Sequence, residues 1–273
     1  MTEISQKIII FAFAMSKRLL IFIFLVLLVV TSCDKRTSRL RQKILNGARV
    51  GLLASSMQEH RAKNLWPEAS YRSFPTNDEV LKALKLGEVD AVYTDELVMY
   101  NKCYDKSLFE LAFIDNDRMP IAGGLRKSEV YLAELFSDFL RKIKSNGEYV
   151  RLKNHWTMTE NIDSIAPMVF KDYSKGPFLK TLHVGIIGEM RPYSIKNKGQ
   201  WTGFENDLWT FFAQSIGYKI QFVVYDFNDL IQALLNKKVD VIAAAITVTQ
   251  ERESKILFTQ PYAHSCSICL VKK

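Results

Sequence analysis

The chain contains one short pattern twice, and this repetition limits what it can fold into. Ala83-Leu84 and Val89-Asp90 recur at the same spacing as Ala233-Leu234 and Val239-Asp240. Each copy follows an Asn-Asp pair and precedes an apolar run of strand length, which is typical of a helix followed by a buried strand. The repeat predicts two similar α/β units. The alternative is a generic likeness, since strand–helix–strand units look alike in any α/β protein.

The second copy is followed by polar side chains that suit a ligand. Val239 to Ala245 is an apolar run, and Thr247, Thr249 and Arg252 come directly after it. Ligands of open α/β sheets bind at the carboxyl ends of the strands, and an arginine there offers a planar fork for a carboxylate. This predicts a carboxylate site at Arg252. In the alternative interpretation, Thr249 caps the next turn and Arg252 makes a surface ion pair.

Residues 1–33 have the pattern of an export signal. A Lys-Arg pair precedes an unbroken apolar run from Leu19 to Val30, which is of signal-peptide length. The run ends in Val30-Thr31-Ser32-Cys33, which resembles the lipobox of bacterial lipoproteins and predicts a lipid on Cys33. Met15 is an alternative start, and an uncleaved single-pass anchor is the alternative to cleavage.

The formal net charge of +8 does not indicate a nucleic-acid-binding protein. Residues 34–47 are polar and basic, which favours a tether that lies beside a membrane and contacts anionic headgroups. Elsewhere the charges are mixed in sign, and an exported lipoprotein seldom meets nucleic acid. We therefore predict a membrane-anchored, periplasm-facing protein with a solvated basic surface.

The cysteines and histidines predict neither a metal site nor a redox site. Of the four cysteines, Cys33 is assigned to lipid, which leaves Cys103, Cys266 and Cys269, an odd number for disulfides. Cys266 and Cys269 fall in an apparent strand, where positions three apart point to opposite faces. The histidines are scattered. No cofactor is expected.

Beyond these patterns, the chain resembles family 3 of the bacterial solute-binding proteins, whose two α/β lobes close over an amino acid. The first-lobe motifs are LHVGI at 182–186, RPYS at 191–194, GFENDL at 203–208, VDVIAAAITVTQER at 239–252 and FTQPY at 258–262. The second-lobe motifs are RVGLLASSMQE at 49–59, VDAVYTDE at 89–96 and a run that ends NHWTM at 158. The implied fold is a two-lobed, type II periplasmic-binding-protein-like α/β fold, in which each lobe is a mixed or parallel sheet flanked by helices, with a hinge between the lobes.

The two lobes occur in swapped order, because the second-lobe motifs precede those of the first lobe. The chain therefore resembles a circular permutation, which is tolerated where the old termini lie close together at the surface. The alternative is a fragment of a longer tandem array, whose lobes pair with others. The expected segments are a signal peptide at 1–33, the tether at 34–47, the second lobe with the carboxyl-terminal helices at 48–158, a linker at 159–180 and the first lobe at 181–273.

The resemblance implies a ligand site for a small zwitterion. Arg252 and Thr247 would bind the ligand's carboxylate with the backbone at Ala245 nearby, while Asp95 would receive its α-ammonium group across the cleft. Asp95 has an alternative role as a helix cap or first-turn acid.

Further residues would complete the contact shell. Phe227 would cover the ligand, with core packing as its alternative, and Ser55 and Ser56 would complete the carboxylate site unless they are solvated turn residues. Met190, Met57 and Ile187 stand where the family often has an aromatic, a hydroxyl and a polar or acidic residue. These departures predict a softer, more apolar cleft and a less polar amino acid or other small zwitterion.

The resulting prediction is a monomeric, non-enzymatic solute receptor that captures a small amino-acid-like ligand by hinge closure for an ABC-type permease. A sensory or regulatory module, related to those beside transglycosylase or receptor-kinase domains, is the alternative. A few proteins of this fold dehydrate small carboxylic acids, but no positioned general acid is evident in this sequence.

Overall fold

The computed structural model describes residues 47–100, 104–115, 117–157, 168 and 178–273. The predicted leader, almost all of the tether and most of the linker lie outside these residues, as do Cys33 and Cys103.

The described residues form seven α-helices and fourteen strands. The helices are α1 (Met57–Leu65), α2 (Asn77–Leu86), α3 (Val130–Ser145), α4 (Glu148–Thr157), α5 (Phe204–Ser215), α6 (Leu230–Leu235) and α7 (Gln250–Lys255). The strands are β1 (Arg49–Leu53), β2 (Ser70–Phe74), β3 (Ala91–Asp95), β4 (Phe109–Ile114), β5 (Met119–Ile121), β6 (Gly124–Leu125), β7 (Lys180–Ile186), β8 (Ile195–Asn197), β9 (Gln200–Thr202), β10 (Tyr218–Val224), β11 (Val241–Ile242), β12 (Leu257–Phe258), β13 (Ala263–Ser265) and β14 (Ser267–Lys272). Two 3-10 helices span Glu96–Tyr100 and Phe227–Asp229.

The first sheet has the strand order β2-β1-β3-β14-β4, and we call it with its helices the β1 lobe. Strands β1, β2 and β3 are parallel, whereas β14 runs antiparallel to β3 and to β4. Helix α2 begins where Thr76 Oγ1 accepts a hydrogen bond from Glu79 N, and it ends at Gly87, whose φ of +73° suits a left-handed cap. Its buried face, which includes Val80 and Leu84, packs against the sheet.

The second sheet has the order β10-β7-β11-β6-β12 and defines the β7 lobe. Helices α3, α4 and α5 contribute fully buried aromatic side chains to one core, in which the rings of Phe136 and Trp209 stack at 4.4 Å. Trp156 Nε1 donates to Asp207 Oδ2 at 2.9 Å and fixes α4 on α5. Segments that are distant in sequence therefore share one core.

Each lobe takes a strand from the opposite part of the chain. Strand β14, at the end of the sequence, lies in the β1 lobe, whereas β6 lies in the β7 lobe. The connection between the lobes contains β5 and β13, which pair antiparallel from Ala263 opposite Ile121 to Ser265 opposite Met119. The two-lobed α/β fold agrees with the sequence prediction. The boundaries of the predicted second-lobe, linker and first-lobe segments remain a prediction. Each sheet contains strands from both sides of the predicted linker.

The repeated sequence pattern occupies equivalent places in the two lobes. Asp90 N donates to Arg49 O at 2.7 Å, and a carboxylate oxygen of Asp90 accepts from Arg49 N at 2.9 Å. The same pair of bonds joins Asp240 and His183, at 2.8 and 3.0 Å. In each lobe the aspartate thus ties the start of its strand to the neighbouring parallel strand.

Two glycines complete this correspondence. A Cβ atom on Gly51 would lie 3.2 Å from a methyl of Val89, and one on Gly185 would lie 3.4 Å from a methyl of Val239. Glycine at both positions lets the helix and strand pack closely.

None of the helices in the described parts of the chain is both long enough and apolar enough to cross a membrane.

Candidate functional site

A cavity of about 310 Å³ lies between the two lobes. Its walls are formed where strands end, by the turns after β1, β3, β7, β10 and β11, together with the start of α2 and with Arg252. Ligands of open α/β sheets bind at such strand ends. The lining residues are Leu53, Ser56, Met57, Gln58, Pro75, Thr76, Asn77, Asp78, Thr94, Asp95, Leu97, Val98, Ile187, Glu189, Met190, Arg191, Tyr225, Asp226, Phe227, Ala244, Ala245, Thr247 and Arg252.

The Arg252 side chain is held at the meeting point of the lobes. Its Nη1 donates to Thr247 O at 2.9 Å, and its Nη2 donates to Ser55 O, on the opposite lobe, at 3.3 Å. The guanidinium carbon lies 5.3 Å from the centre of the Phe227 ring, which gives a cation–π contact. Burial lowers the pKa of Arg252, although Glu251 acts in the opposite direction. The loss of solvation makes an anionic partner favourable.

The two threonines near Arg252 have different roles. Thr249 is the N-cap of α7, because its Oγ1 accepts from Arg252 N at 3.3 Å. The capping interpretation is thus right for Thr249, whereas no carboxylate among the described residues forms a salt bridge with Arg252. Thr247 is 5% exposed, and its side chain lines the cavity.

Ala245 lies at the cavity with its amide already engaged. Its N–H donates to Glu205 Oε2 at 2.9 Å, and its φ of +46° places it in the left-handed region. Glu205 is fully buried and also accepts from the Tyr262 hydroxyl. This amide is therefore not offered to a ligand in the described conformation, and Glu205 holds the turn from Ala245 to Thr247.

Burial raises the pKa of Glu205 to about 7, because its two hydrogen-bond donors compensate for only part of the lost solvation. Glu205 is not among the site residues predicted from the sequence. Glu205 belongs to the GFENDL motif, where an acidic residue at the start of a helix is expected to be exposed.

Asp95 lines the cavity from the β1 lobe and also has the alternative structural role. Its Oδ1 accepts from Leu97 N at 2.8 Å, which caps the following 3-10 helix. Burial raises its pKa to about 6, against hydrogen bonds from Ser265, Leu97 and Gln58 that lower it. The carboxylate is thus held in place and partly desolvated.

The two serines lie directly before α1. Ser56 is the N-cap, with its Oγ accepting from Glu59 N at 3.0 Å, and it lines the cavity. Ser55 has a φ of +56°; its N–H donates to Glu59 Oε2, and its carbonyl accepts from Arg252. Ser55 does not line this cavity but an adjoining one, which Ser56, Phe227 and Arg252 also line.

The predicted apolar contacts also reach the cavity. Met57, Met190, Ile187 and Phe227 all line it. Phe227 also packs against the core of its own lobe, so it lies both at the cavity and against the core.

Arg191 and Glu189 also lie at the cavity. Arg191 is 5% exposed and lines the cavity, with its Nη2 3.8 Å from Glu189 Oε2. Buried Gln58 lines it as well. Arg191 lies between β7 and β8, and Gln58 lies in the first turn of α1.

Neither of the described cysteines lines the cavity. Cys266 and Cys269 are buried and unbridged, and Cys266 Sγ donates to Glu96 Oε2 at 3.2 Å. Burial raises the pKa of Cys266 to about 12, so its thiol stays protonated. Within the described ranges, no group of three His, Cys, Asp or Glu side chains is placed to hold a metal ion.

Comparison with known proteins relates one part of the chain to binding proteins. Residues 182–273 match the family described as bacterial extracellular solute-binding proteins, family 3. This stretch is similar to family 3. It is 35% identical over 92 residues to a probable amino-acid-binding protein, YxeM, of Bacillus subtilis, covering 34% of this chain and 35% of that protein.

Other similar proteins are named for amino acids. A probable histidine-binding protein of Campylobacter jejuni is 38% identical over 93 residues, covering 34% of this chain and 36% of that protein. The arginine-bound form of domain 1 from TmArgBP matches 34% of this chain and 80% of that domain, at 30% identity and a TM-score of 0.30. The chain thus spans about a third of the length of the curated relatives it matches.

Proposed function

We propose that this chain is an extracytoplasmic receptor for a small amino-acid-like zwitterion, which it binds between its lobes and delivers to an ABC-type importer. The observation that carries the proposal is that Arg252 and Asp95, which come from different lobes, line one cavity. A cation and an anion on opposite walls match the carboxylate and the ammonium group of an amino acid.

The contacts of Arg252 support its role as the carboxylate anchor. Its guanidinium now donates to two carbonyl oxygens, from Thr247 and Ser55, and neither of them carries a full charge. A carboxylate gives stronger, charge-assisted hydrogen bonds to the same fork. A ligand that displaced the Ser55 carbonyl would retain the Thr247 contact, which orients the guanidinium.

The position of Asp95 supports its role as the ammonium acceptor. One oxygen is fixed by Leu97 N, which leaves the carboxylate oriented while it lines the cavity. Because it is partly desolvated, its attraction to a cation is stronger than in water. Phe227 and the methionines supply apolar surface for the rest of the ligand.

The connection between the lobes supports hinge closure. The lobes are joined through the short β5 and β13 pair, and Arg252 contacts Ser55 directly across the cleft. Binding of a ligand that contacts both walls would stabilise the closed arrangement over an open one.

The swapped order of the lobes is part of this proposal. Val271 pairs with Ala91, which in turn pairs with Val50, so the end of β14 and the start of β1 lie two strands apart at one end of the sheet. Strands are spaced about 4.8 Å apart, which puts these ends roughly 10 Å from each other. A short connection could join them, as a circular permutation requires.

The proposal also keeps the lipid anchor on Cys33, a periplasm-facing location and a monomeric state. The anchor and the location rest on the sequence pattern of residues 1–47.

The test is isothermal titration of the full chain with the proteinogenic L-amino acids, repeated with Arg252→Ala. We expect at least one amino acid to bind, and the variant to lose that binding while it keeps the wild-type circular dichroism spectrum. Arg141→Ala is the matched control, because Arg141 is 75% exposed and forms an ion pair with its helix neighbour Asp138, away from the cavity lining. An unchanged affinity of Arg252→Ala for the amino acid would show that Arg252 does not bind the ligand's carboxylate.

A further inference from the structure

Two buried side chains near the cavity form a hydrogen-bonded pair. Glu205, in the first turn of α5, is fully buried, and Tyr262, directly before β13, is 2% exposed. The Tyr262 hydroxyl donates to Glu205 Oε1. Neither residue lines the cavity. They can therefore influence a bound ligand only through the residues that they hold in place.

The pair is attached to the turn that carries the carboxylate site. Glu205 Oε2 accepts a hydrogen bond from Ala245 N at 2.9 Å. The φ of +46° at Ala245 is unfavourable for a residue with a side chain, and it persists only where the surroundings hold it. Two residues later, Thr247 O accepts from Arg252 Nη1 at 2.9 Å. Glu205 thus fixes the backbone that orients the guanidinium.

The same pair is attached to the connection between the lobes. Tyr262 N donates to the carbonyl oxygen of Ile121, on β5, at 3.0 Å. Ile121 also forms an antiparallel bridge with Thr247. Strand β5 therefore reaches the turn by two routes, directly through Thr247 and indirectly through Tyr262 and Glu205. The position of the turn thus depends on the connection between the lobes.

We infer that Glu205 and Tyr262 are positioning residues for the ligand's carboxylate, because they hold the turn that orients Arg252. This inference rests on the proposed function and assigns two further residues to that site. Their effect reaches the ligand through Ala245, Thr247 and Arg252, which line the cavity. A buried carboxylate that loses one of its donors is held less firmly, and the turn bonded to it loses part of its support.

The variant Tyr262→Phe removes the hydroxyl and keeps the ring. Binding to the full chain is measured by isothermal titration with the proteinogenic L-amino acids and, for each one that binds, with its carboxamide. We expect the variant to bind the amino acid about tenfold more weakly, as for the loss of one hydrogen bond to a charged group. The carboxamide lacks the negative charge that Arg252 meets, so its affinity should change less.

The matched control is Tyr93→Phe. Tyr93 is also fully buried, and its hydroxyl donates to a carboxylate oxygen of Asp115 at 2.6 Å. Neither Tyr93 nor Asp115 lines the cavity. Both variants remove a hydrogen bond of the same kind, so both should lower the midpoint of urea unfolding. We expect only Tyr262→Phe to reduce the preference for the amino acid over its carboxamide, whereas a merely structural role would leave this preference unchanged.

A second variant, Glu205→Gln, tests whether the two residues act together. Glutamine has nearly the same shape, and its side-chain oxygen can accept from Ala245 N, but it carries no charge. We expect it to weaken binding of the amino acid as well. Effects of residues in one hydrogen-bond network are not additive, so the double variant should lose little more affinity than the more affected single variant. Additive losses would overturn the shared role.

The outcomes separate the inference from the function beneath it. If the wild type binds an amino acid and neither Tyr262→Phe nor Glu205→Gln weakens that binding, the inference is overturned and the proposed receptor stands. An equal loss of affinity in Tyr93→Phe would also overturn the inference, because lost stability would then explain the effect. Absence of binding by every amino acid to the wild type would overturn the proposed function and the inference together.

Discussion

Replacement of Phe136 by alanine tests whether the two parts of the chain share a core. Phe136 lies on α3, in the part of the sequence that precedes the linker, and it is fully buried. Its ring stacks on Trp209 at 4.4 Å and meets Phe212 edge-on at 5.2 Å and Tyr262 at 5.9 Å. All three partners follow the linker. The burial of Phe136 therefore exists only if the segments pack together.

The cost of the substitution follows from this packing. Removing a fully buried phenylalanine side chain destabilises a protein by about 3–5 kcal/mol, from lost transfer energy and from the cavity left behind. The stacked and edge-on ring contacts favour the middle of this range or above, about 4 kcal/mol. For a domain of this size, 1 kcal/mol shifts Tm by about 2–4 °C, so we expect a decrease of about 8–16 °C.

The assay is urea denaturation followed by tryptophan fluorescence, for which buried Trp209 and Trp156 are natural probes. Tyr131→Ala is the control, because Tyr131 lies on the same helix and is 73% exposed; we expect it to change the free energy of unfolding by less than about 0.5 kcal/mol. A loss in Phe136→Ala no larger than that of the control would refute the shared core and favour a fragment whose lobes pair elsewhere.

Three further predictions concern single residues. Since burial raises the pKa of Glu205 from 4.5 to about 7, the folded protein holds this proton more tightly than the unfolded chain, and its contribution to stability is lost as the pH rises through this range. Glu205→Gln should lack this component, so the stability difference between wild type and variant should differ between about pH 5 and about pH 8 in urea titrations; an identical difference at both would contradict the assignment. Asp95→Asn should weaken the binding of zwitterions more than that of plain carboxylic acids in titration calorimetry, and equal losses would remove its ammonium role. Cys33→Ser should move the protein from the membrane to the soluble fraction after cell fractionation, whereas a variant still in the membrane would indicate an uncleaved anchor.

The repeated units could be predicted because their determinants are local. Val89-Asp90 and Val239-Asp240 each combine a strand start with an aspartate that ties two parallel strands together, and the structure places both pairs as the spacing implies. Periodicity and turn chemistry are enough to recognise such units.

The exchange of strands could not be predicted from the same patterns. Strand β14 pairs with β3 from Ser267 opposite Asp95 to Val271 opposite Ala91, across most of the chain. Nothing in an apolar run such as that of β14 specifies which sheet it joins. Only the swapped order of the family-like motifs indicated that distant parts of the chain pack together.

The candidate site also combines residues that local motifs predict with contacts that only tertiary packing determines. Arg252, Asp95 and Phe227 were selected because motif positions pointed to them, and the structure brings them to one cavity. Glu205 is not predicted as a site residue, because its burial arises from tertiary packing. For Ala245 the position was right, but its amide is engaged by Glu205, a contact that the strand pattern cannot show.

The most direct measurement of the central claim is the thermal unfolding of the full chain with and without each proteinogenic L-amino acid. A ligand that binds only the folded state stabilises it by about 2.7 kcal/mol at a concentration one hundred times Kd, which is a rise in Tm of several degrees. We expect such a rise for at least one amino acid, and its loss in Arg252→Ala. A cooperative transition whose Tm no amino acid changes would contradict the claim that this cleft is an amino-acid receptor site.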